Sequence, residues 1–301
     1  MTLPRQRFGP DVQSPPNGVA QYRVRHHYRY VYTASVFNVK QRLIMIPPDQ
    51  HLDQQLVSFD LDVRGPTGQL SIDWQSDVFG NRVCRVDAER VDHALDFEAW
   101  FSVRHVDPQP PTESAAALHA YRSFTALTAA DERIRAEAQT IQSQASEPAE
   151  WVELANDWAA QSITYQVGVT GTQTPAAMAL HLGQGVCQDY AHIMLSVLRC
   201  LGIAARYVSG HLIGEGAPHA WVEVLLFDSS ADQPTRLLAF DPTHHRRADD
   251  KYITVAVGRD FADVTSTSGV FSGSATGKLH WSKHAEAIAA PDSAPQAGAA
   301  A

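Results

Sequence analysis

The hydrophobic period of the chain changes at a proline-rich segment over residues 107–111, and this change most limits what the chain can fold into. Before it, apolar residues recur at every second position, as in strands with one buried face. After it, apolar residues first recur at helical spacing, and strand patterns return only near residue 204. The sequence therefore predicts a strand-rich first part, followed by a part that contains helices and then strands.

The clearest strand pattern lies at residues 22–32, where apolar or aromatic residues alternate with charged ones. The expected buried face contains Tyr22, Val24, His26, Tyr28, Tyr30 and Tyr32. Further short strands, separated by turns rich in Gly, Pro or Asn, are predicted at residues 42–46, 56–63, 70–74, 82–86 and 95–103. This spacing is typical of an antiparallel sandwich. We therefore expect an N-terminal β-sandwich-like domain over residues 19–106, after an irregular segment at residues 1–18.

The rest of the chain reads as a linker with helices over residues 107–147 and a core over residues 148–284. The sequence predicts helices at residues 131–144, 150–163, 174–183 and 187–201, the third with Thr174 as N-cap. Strands are predicted at residues 204–209, 220–227 and 236–240. The tail at residues 285–301 contains mostly Ala, Pro, Ser and Gly, so we expect it to be disordered.

The charge balance limits the partners. The formal net charge is −9, and the acidic residues are dispersed along the chain. Nucleic acids and anionic membranes bind basic surfaces, so neither is expected as a partner. No apolar run approaches the ~20 residues of a spanning helix, and the start of the chain lacks the apolar segment of a secretory signal. A cytoplasmic location is the resulting expectation.

Three cysteines are present, and their positions differ in chemistry. Their low, odd number favours neither a disulfide framework nor a cysteine-rich zinc site. Cys187 begins a predicted helix, where free N–H groups favour a thiolate and can receive an oxyanion. Gly183 and Gly185 permit a tight turn that leaves the sulfur accessible. Cys200, near the end of the same helix, and Cys84, in a strand, are expected to be packing residues.

A thiol nucleophile needs a base and a residue that orients the base. His219 begins a predicted strand, and Asp241 ends the next one. A turn at residues 229–234 joins the two strands, so an antiparallel pair would bring His219 and Asp241 together. The sequence therefore predicts a Cys187, His219 and Asp241 triad.

Three segments resemble the core blocks of the transglutaminase-like superfamily, in the order that the family has. They are Gly185-Val186-Cys187-Gln188-Asp189-Tyr190-Ala191-His192, His219-Ala220-Trp221-Val222-Glu223 and Phe240-Asp241-Pro242-Thr243. More narrowly, the chain resembles bacterial transglutaminase-like proteins with an N-terminal β domain. The features that carry this narrower resemblance are the alternating tyrosines Tyr28, Tyr30 and Tyr32, residues 77–81 and residues 258–264.

The resemblance implies an α+β fold with a papain-like core. In this core Cys187 is the nucleophile, His219 the base and then the acid, and Asp241 the orienting residue. It implies a glutamine or peptide amide of a peptide or protein as substrate, a thioester intermediate and no cofactor. A ring-bearing side chain upstream of the cysteine would help to bind the oxyanion. Tyr165 is the candidate by position, although a packing role is the commoner use of tyrosine, and Gln184 is a weaker alternative.

Several alternatives stay open at this stage. Hydrolysis is favoured over transamidation, in which an amine resolves the thioester. Some superfamily members are binding scaffolds that have lost the triad, and the N-terminal β domain would suit a partner protein. The pairs His26-His27 and His244-His245 lack a supporting carboxylate or thiol cluster, so they are interpreted as solvated histidines rather than metal ligands. No metal is predicted, and calcium loops are not evident.

Overall fold

A computed structural model describes residues 21–228 and 231–288 of the chain. The irregular segment predicted at residues 1–18, and the tail beyond residue 288, lie outside the described residues. Seven strands form the first sheet. They are β1 (Gln21–Tyr32), β2 (Val36–Leu43), β3 (Gln50–His51), β4 (Gln54–Ser76), β5 (Arg82–His105), β13 (Thr267–Ser272) and β14 (Gly277–Ile288).

The first strand has the predicted amphipathic pattern. Five of the six residues expected on its inner face are buried, and Tyr30 is half-buried. The prediction of separate short strands is wrong, because the four segments expected between residues 56 and 103 are parts of two long strands, β4 and β5. The segment around Gly65 and Pro66 is a bulge between paired strands rather than a connecting turn. A Cβ on Gly65 would lie 2.0 Å from the Ala94 carbonyl oxygen, so only glycine fits there.

The first sheet bends back on itself to form the sandwich-like N-terminal region. One half of β5 pairs with β1, and its other half pairs with β2. The two halves of β4 approach closely enough for Phe59 and Trp74 to make an edge-to-face contact at 5.6 Å. On the opposite side, Tyr32 of β1 contacts Phe271 of β13 at 5.3 Å. A single apolar core therefore fills the space between the halves.

The second part of the chain has five helices among its described residues. They are α1 (Ala115–Arg122), α2 (Glu132–Gln144), α3 (Pro148–Ser162), α4 (Ala176–Leu182) and α5 (Cys187–Cys200). The strands of its antiparallel sheet run in the order β11-β10-β9-β8-β12. They are β8 (Ala204–Leu212), β9 (Pro218–Leu226), β10 (Arg236–Asp241), β11 (Arg246–Arg247) and β12 (Tyr252–Gly258). A short parallel pair, β6 (Thr164–Tyr165) and β7 (Gln184–Gly185), lies before α5.

Helix α5 is the buried centre of this part. Every residue from Gln188 to Arg199 is buried, because α2, α3 and α4 pack around the helix and the sheet covers its other side. Its predicted end is confirmed by the left-handed conformation of Gly202, at φ +74°. The predicted N-cap of α4 is wrong: Pro175 occupies that position, and the Thr174 hydroxyl instead accepts a hydrogen bond from the Gly171 amide at 2.9 Å.

The chain returns to the first sheet at its end. β13 pairs with β2, and β14 pairs with β1. The predicted core at residues 148–284 thus includes two strands that complete the N-terminal sheet. Residues 285–288, which were expected to be disordered, belong to β14, so the prediction is wrong for them. The α+β architecture, a helix-containing core with a sheet-rich N-terminal region, is confirmed. No helix of the two described ranges is long and apolar enough to cross a membrane.

Candidate active site

Cys187 is the first residue of α5 and is partly exposed, in contrast to the buried residues Gln188–Arg199 that follow it. The backbone before it is fixed by Asp189, whose Oδ2 accepts hydrogen bonds from the Val186 amide and the Thr170 hydroxyl, both at 2.7 Å. A Cβ on Gly185 would lie 2.7 Å from the Asp189 side chain, so this position has no room for a side chain. The local sequence therefore places the thiol at a rigid helix N-terminus, where backbone amides can stabilise negative charge.

His219 and Asp241 meet at the outer end of the β9–β10 hairpin. The strands pair from Arg236 opposite Leu226 to Phe240 opposite Val222, which brings the next residues towards each other. His219 Nε2 lies 2.6 Å from Asp241 Oδ2. Both side chains are buried, with 4% and 0% exposure. The predicted proximity of His219 and Asp241 is thus present in the structure.

The Cys187 thiol lies close enough to the His219 ring to raise its pKa. Because Nε2 is bound to Asp241, the nitrogen available to the sulfur is Nδ1. The structure therefore brings all three predicted residues together, in the order sulfur, imidazole, carboxylate. This order is what a thiol nucleophile with an oriented base requires.

The electrostatics of this group favour a charged imidazole. Burial lowers the pKa of His219, but the hydrogen bonds and charges of Asp241 and Cys187 raise it more, to about 10. Burial raises the pKa of Asp241, but hydrogen bonds from His219, His244 and Tyr252 hold it well below its usual range. Near neutral pH the site therefore contains an imidazolium beside an ionised Asp241.

Two further residues contact the same carboxylate, and sequence reasoning missed both. His244 Nδ1 and the Tyr252 hydroxyl each lie 2.7 Å from Asp241 Oδ2. The Thr243 amide donates to Oδ1 at 2.9 Å. The interpretation of His244 as a solvated loop histidine is wrong, because its ring is bound to the buried Asp241. Its position three residues after Asp241, in the same turn, is the signal that could have revealed it.

His219, Asp241 and His244 each offer a ligand atom, and these atoms lie within 4.8 Å of one another. A group of this size and composition could hold a metal ion. The hydrogen bonds of Asp241 Oδ2 to both imidazoles already account for the grouping. Both histidines also have raised pKa values, so protons would compete with a metal for their ring nitrogens.

Tyr165 lies beside the start of α5. It pairs with Gly185 in the short parallel ladder, two residues before Cys187, and its side chain is about half exposed. Gln184 is exposed in the same ladder. The structure thus places both predicted oxyanion candidates on the segments that precede the nucleophile, and places Tyr165 outside the apolar core.

The other cysteines have different surroundings. Cys84 is 1% exposed in the core of the first sheet, and burial together with the charge of Asp73 raises its pKa to about 12. Cys200 is at the opposite end of α5 from Cys187, and burial raises its pKa. Neither thiol is next to a buried imidazole and carboxylate pair.

His26 also departs from its predicted solvated state. Its side chain is fully buried, and its Nε2 lies 2.7 Å from Nε2 of His211. This pair connects β1 of the first sheet with β8 of the second. Two predictions were made for His26. The strand pattern placed it on the buried face, whereas the absence of a metal-ligand cluster led to its interpretation as solvated. The strand pattern gave the correct prediction.

Comparisons with known proteins agree with this geometry. Residues 22–104 match the bacterial transglutaminase-like N-terminal region, and residues 135–242 match the transglutaminase-like superfamily. An uncharacterised protein of Mycobacterium leprae is 37% identical over 159 residues, which cover 50% of this chain and 54% of that protein. One from Mycobacterium bovis is 38% identical over 135 residues, or 40% and 42% of the two chains. The chain thus spans about half the length of the curated relatives it matches.

The fold also matches a crystal structure from Cytophaga hutchinsonii, of a protein described as a candidate cysteine protease. The TM-score is 0.71 with 18% identity, and the match covers 92% of this chain and 93% of the other. At this identity the likeness concerns the fold alone. The structural match covers both the N-terminal sheet and the helix-containing core, and so do the two family matches taken together. By the two family matches, the chain has a transglutaminase-like core at residues 135–242 and a bacterial transglutaminase-like N-terminal region at residues 22–104.

Proposed function

We propose that the chain is a cysteine-dependent acyl-transfer enzyme that acts on amides of peptides or proteins through a thioester. The observation that carries this proposal is the arrangement around His219, which contacts Cys187 while its Nε2 is held 2.6 Å from the buried Asp241. An imidazolium beside a sulfur at a helix N-terminus is the arrangement that makes a cysteine nucleophilic.

In the first half-reaction, the Cys187 sulfur attacks the amide carbonyl carbon, and a C–S bond forms. The carbonyl oxygen becomes an oxyanion, which the free amides at the start of α5 can stabilise. His219 then donates its Nδ1 proton to the amide nitrogen, the C–N bond breaks, and the amine leaves. Asp241 keeps the ring oriented throughout, because its carboxylate remains bound to Nε2.

In the second half-reaction, neutral His219 accepts a proton from water as the water oxygen attacks the thioester carbon. The C–S bond breaks, which gives a carboxylic acid and restores the Cys187 thiolate and the His219 imidazolium. A primary amine in place of water would give transamidation. We favour hydrolysis, as in a peptidase or amidase, and the candidate cysteine protease that shares the fold supports this choice.

The N-terminal region gives the proposal a second component. Its β3–β4 segment and the linker before α1 form, with β9–β12, a cavity of about 480 Å³ lined by residues that include His51, Pro108, Trp221 and Tyr252. We suggest that this region helps to hold a protein substrate or partner beside the core. Metal and cofactor roles form no part of the proposal.

The test compares Cys187→Ala with Cys200→Ala, a thiol on the same helix. Each variant is incubated with a mixture of glutamine-containing peptides, with and without a fluorescent primary amine. The products are identified by mass spectrometry. Hydrolysis or amine incorporation should require Cys187 and not Cys200. Full activity in Cys187→Ala would overturn the proposal, and a wild type without activity would favour a binding scaffold instead.

A further inference from the structure

A second carboxylate lies next to His219, on the side of the ring that faces Cys187. Glu215 belongs to the loop between β8 and β9. Its Oε2 lies 3.8 Å from His219 Nδ1, and its Oε1 lies 2.8 Å from His244 Nε2. Neither Glu215 nor His244 belongs to the predicted triad, so this contact is a feature the triad does not explain.

The four side chains form a closed cycle of alternating charge. His219 contacts Asp241, Asp241 contacts His244, His244 contacts Glu215, and Glu215 returns to His219. Hydrogen bonds to Asp241 and Glu215 raise the pKa of His244 to about 9, against the opposing effect of burial. Burial raises the pKa of Glu215, but the two histidines lower it more. His244 is thus a cation that links two carboxylates.

The distance between Glu215 and His219 allows electrostatic attraction but is too long for Glu215 to accept the Nδ1 proton of His219 in a hydrogen bond. At 3.8 Å the contact is an ion pair and exceeds the length of a hydrogen bond. The Nδ1 proton therefore stays available to the sulfur or to the leaving amine. The carboxylate nevertheless stabilises the positive charge of the ring, because an opposite charge within ~4–6 Å favours the charged form.

Resting on the proposed function, we infer that Glu215, held in place by His244, is a positioning residue that orients the His219 ring towards Cys187 and favours its charged form. Asp241 performs this role from Nε2, and Glu215 performs it from the opposite side. His244 fixes the distance of Glu215 by binding its other oxygen at 2.8 Å. If Glu215 only connected two loops, it would contribute to stability and would not affect the ionisation of the His219 ring.

The test uses Glu215→Gln and Glu215→Asp, with Glu147→Gln as control. Glu147 is exposed at the start of α3, and its side chain makes no capping hydrogen bond. Two pH profiles are measured for each protein: kcat/KM on a cleaved peptide and the rate of Cys187 alkylation by iodoacetamide. In Glu215→Gln, we expect the alkaline limb of kcat/KM to move about one pH unit lower, because losing a nearby charge lets the ring deprotonate earlier. The alkylation profile should move with it.

Glu215→Asp keeps the charge but withdraws it by one methylene, so we expect a smaller shift in the same direction. It also provides the test if Glu215→Gln does not fold. If every folded variant has a lower melting temperature but an unchanged alkaline limb of kcat/KM, the inference is overturned. Glu215 would then have only a structural role. If the wild type shows no activity that depends on Cys187, the proposed function fails, whereas the alkylation profiles still decide the role of Glu215.

Discussion

His26 and His211 share one hydrogen bond between two fully buried rings, with their Nε2 atoms 2.7 Å apart. One ring must donate and the other accept, so at least the accepting ring must be neutral. Burial, and then the positive charge of Lys283, hold the pKa values of both histidines well below 6.5, and neighbouring histidines lower them further. The junction between the two sheets therefore contains a buried pair whose protonation is unfavourable in the folded state.

This pair predicts a loss of stability in mild acid. The folded-state pKa values are lowered, so the unfolded chain binds more protons as pH falls below about 6.5, and unfolding becomes easier. Each histidine should account for up to ~2 kcal/mol between pH 7.5 and pH 5. The pKa values of His219 and His244 are raised instead, so their stabilisation is complete below pH 6.5 and is lost only towards pH 9 or 10.

Urea unfolding at several pH values between 5 and 7.5 checks this expectation. His26→Gln should lose about 2 kcal/mol less than the wild type over that range, because one of the buried titrating rings is gone. His119→Gln, at an exposed position of α1, is the matched control and should follow the wild type. Parallel pH dependence in wild type and His26→Gln would contradict the assignment.

The three thiols should differ strongly in reactivity. Cys187 is partly exposed beside the His219 imidazolium, whereas burial raises the pKa values of Cys84 and Cys200. We expect brief treatment of folded protein with iodoacetamide at pH 7 to label Cys187 at least tenfold faster than either of the others, because the thiolate is the reacting species. Peptide mapping gives the rates. Equal labelling of all three would show that the site does not activate Cys187.

Asp241→Asn should reduce activity while it keeps the size of the side chain. The carboxylate that orients His219 and keeps it protonated is lost, so we expect kcat/KM to fall ~10²–10⁴-fold and its alkaline limb to move to lower pH. Tyr252→Phe removes only one of three donors to Asp241 Oδ2. It should cost ~1–3 kcal/mol of stability and less than tenfold in kcat/KM. Activity near the wild-type level in Asp241→Asn would contradict the role of Asp241.

Gly185→Ala tests the rigidity of the turn before Cys187. The added Cβ would meet the Asp189 side chain at 2.7 Å, so Asp189 would have to move and release the Val186 amide. We expect a stability loss of ~1–3 kcal/mol and at least a tenfold fall in kcat/KM. Gly171→Ala is the control, since its Cβ would meet no atom within 4 Å. A crystal structure of the alanine variant with Asp189 in its original place would refute the argument.

The sequence was informative where local patterns determine structure. The alternation in β1 and the glycine after α5 predicted a buried face and a helix end, because both depend on neighbouring residues. The proximity of His219 and Asp241 followed from a single hairpin. The contact between His244 and Glu215 could not be predicted, since it depends on how two loops approach in space.

Long-range pairing was the other limit. Nothing local in residues 277–288 indicates that they pair with the first strand of the chain, because the partner lies more than 240 residues away. Gly65 and Pro66 look like a turn in sequence, and only the register of the neighbouring strands distinguishes a bulge from a chain reversal. Both errors concern strands, whose partners a sequence does not specify locally.

The pairing of β1 with β14 along its whole length sets an order of events during translation. Residues 21–32 leave the ribosome early, but one edge of this strand stays open until residues 277–288 have been made. The sheet that carries His219 needs nothing beyond residue 258. The first sheet to begin synthesis is therefore the last to be completed, and a chaperone that shields an unpaired strand edge would act on β1 throughout that interval.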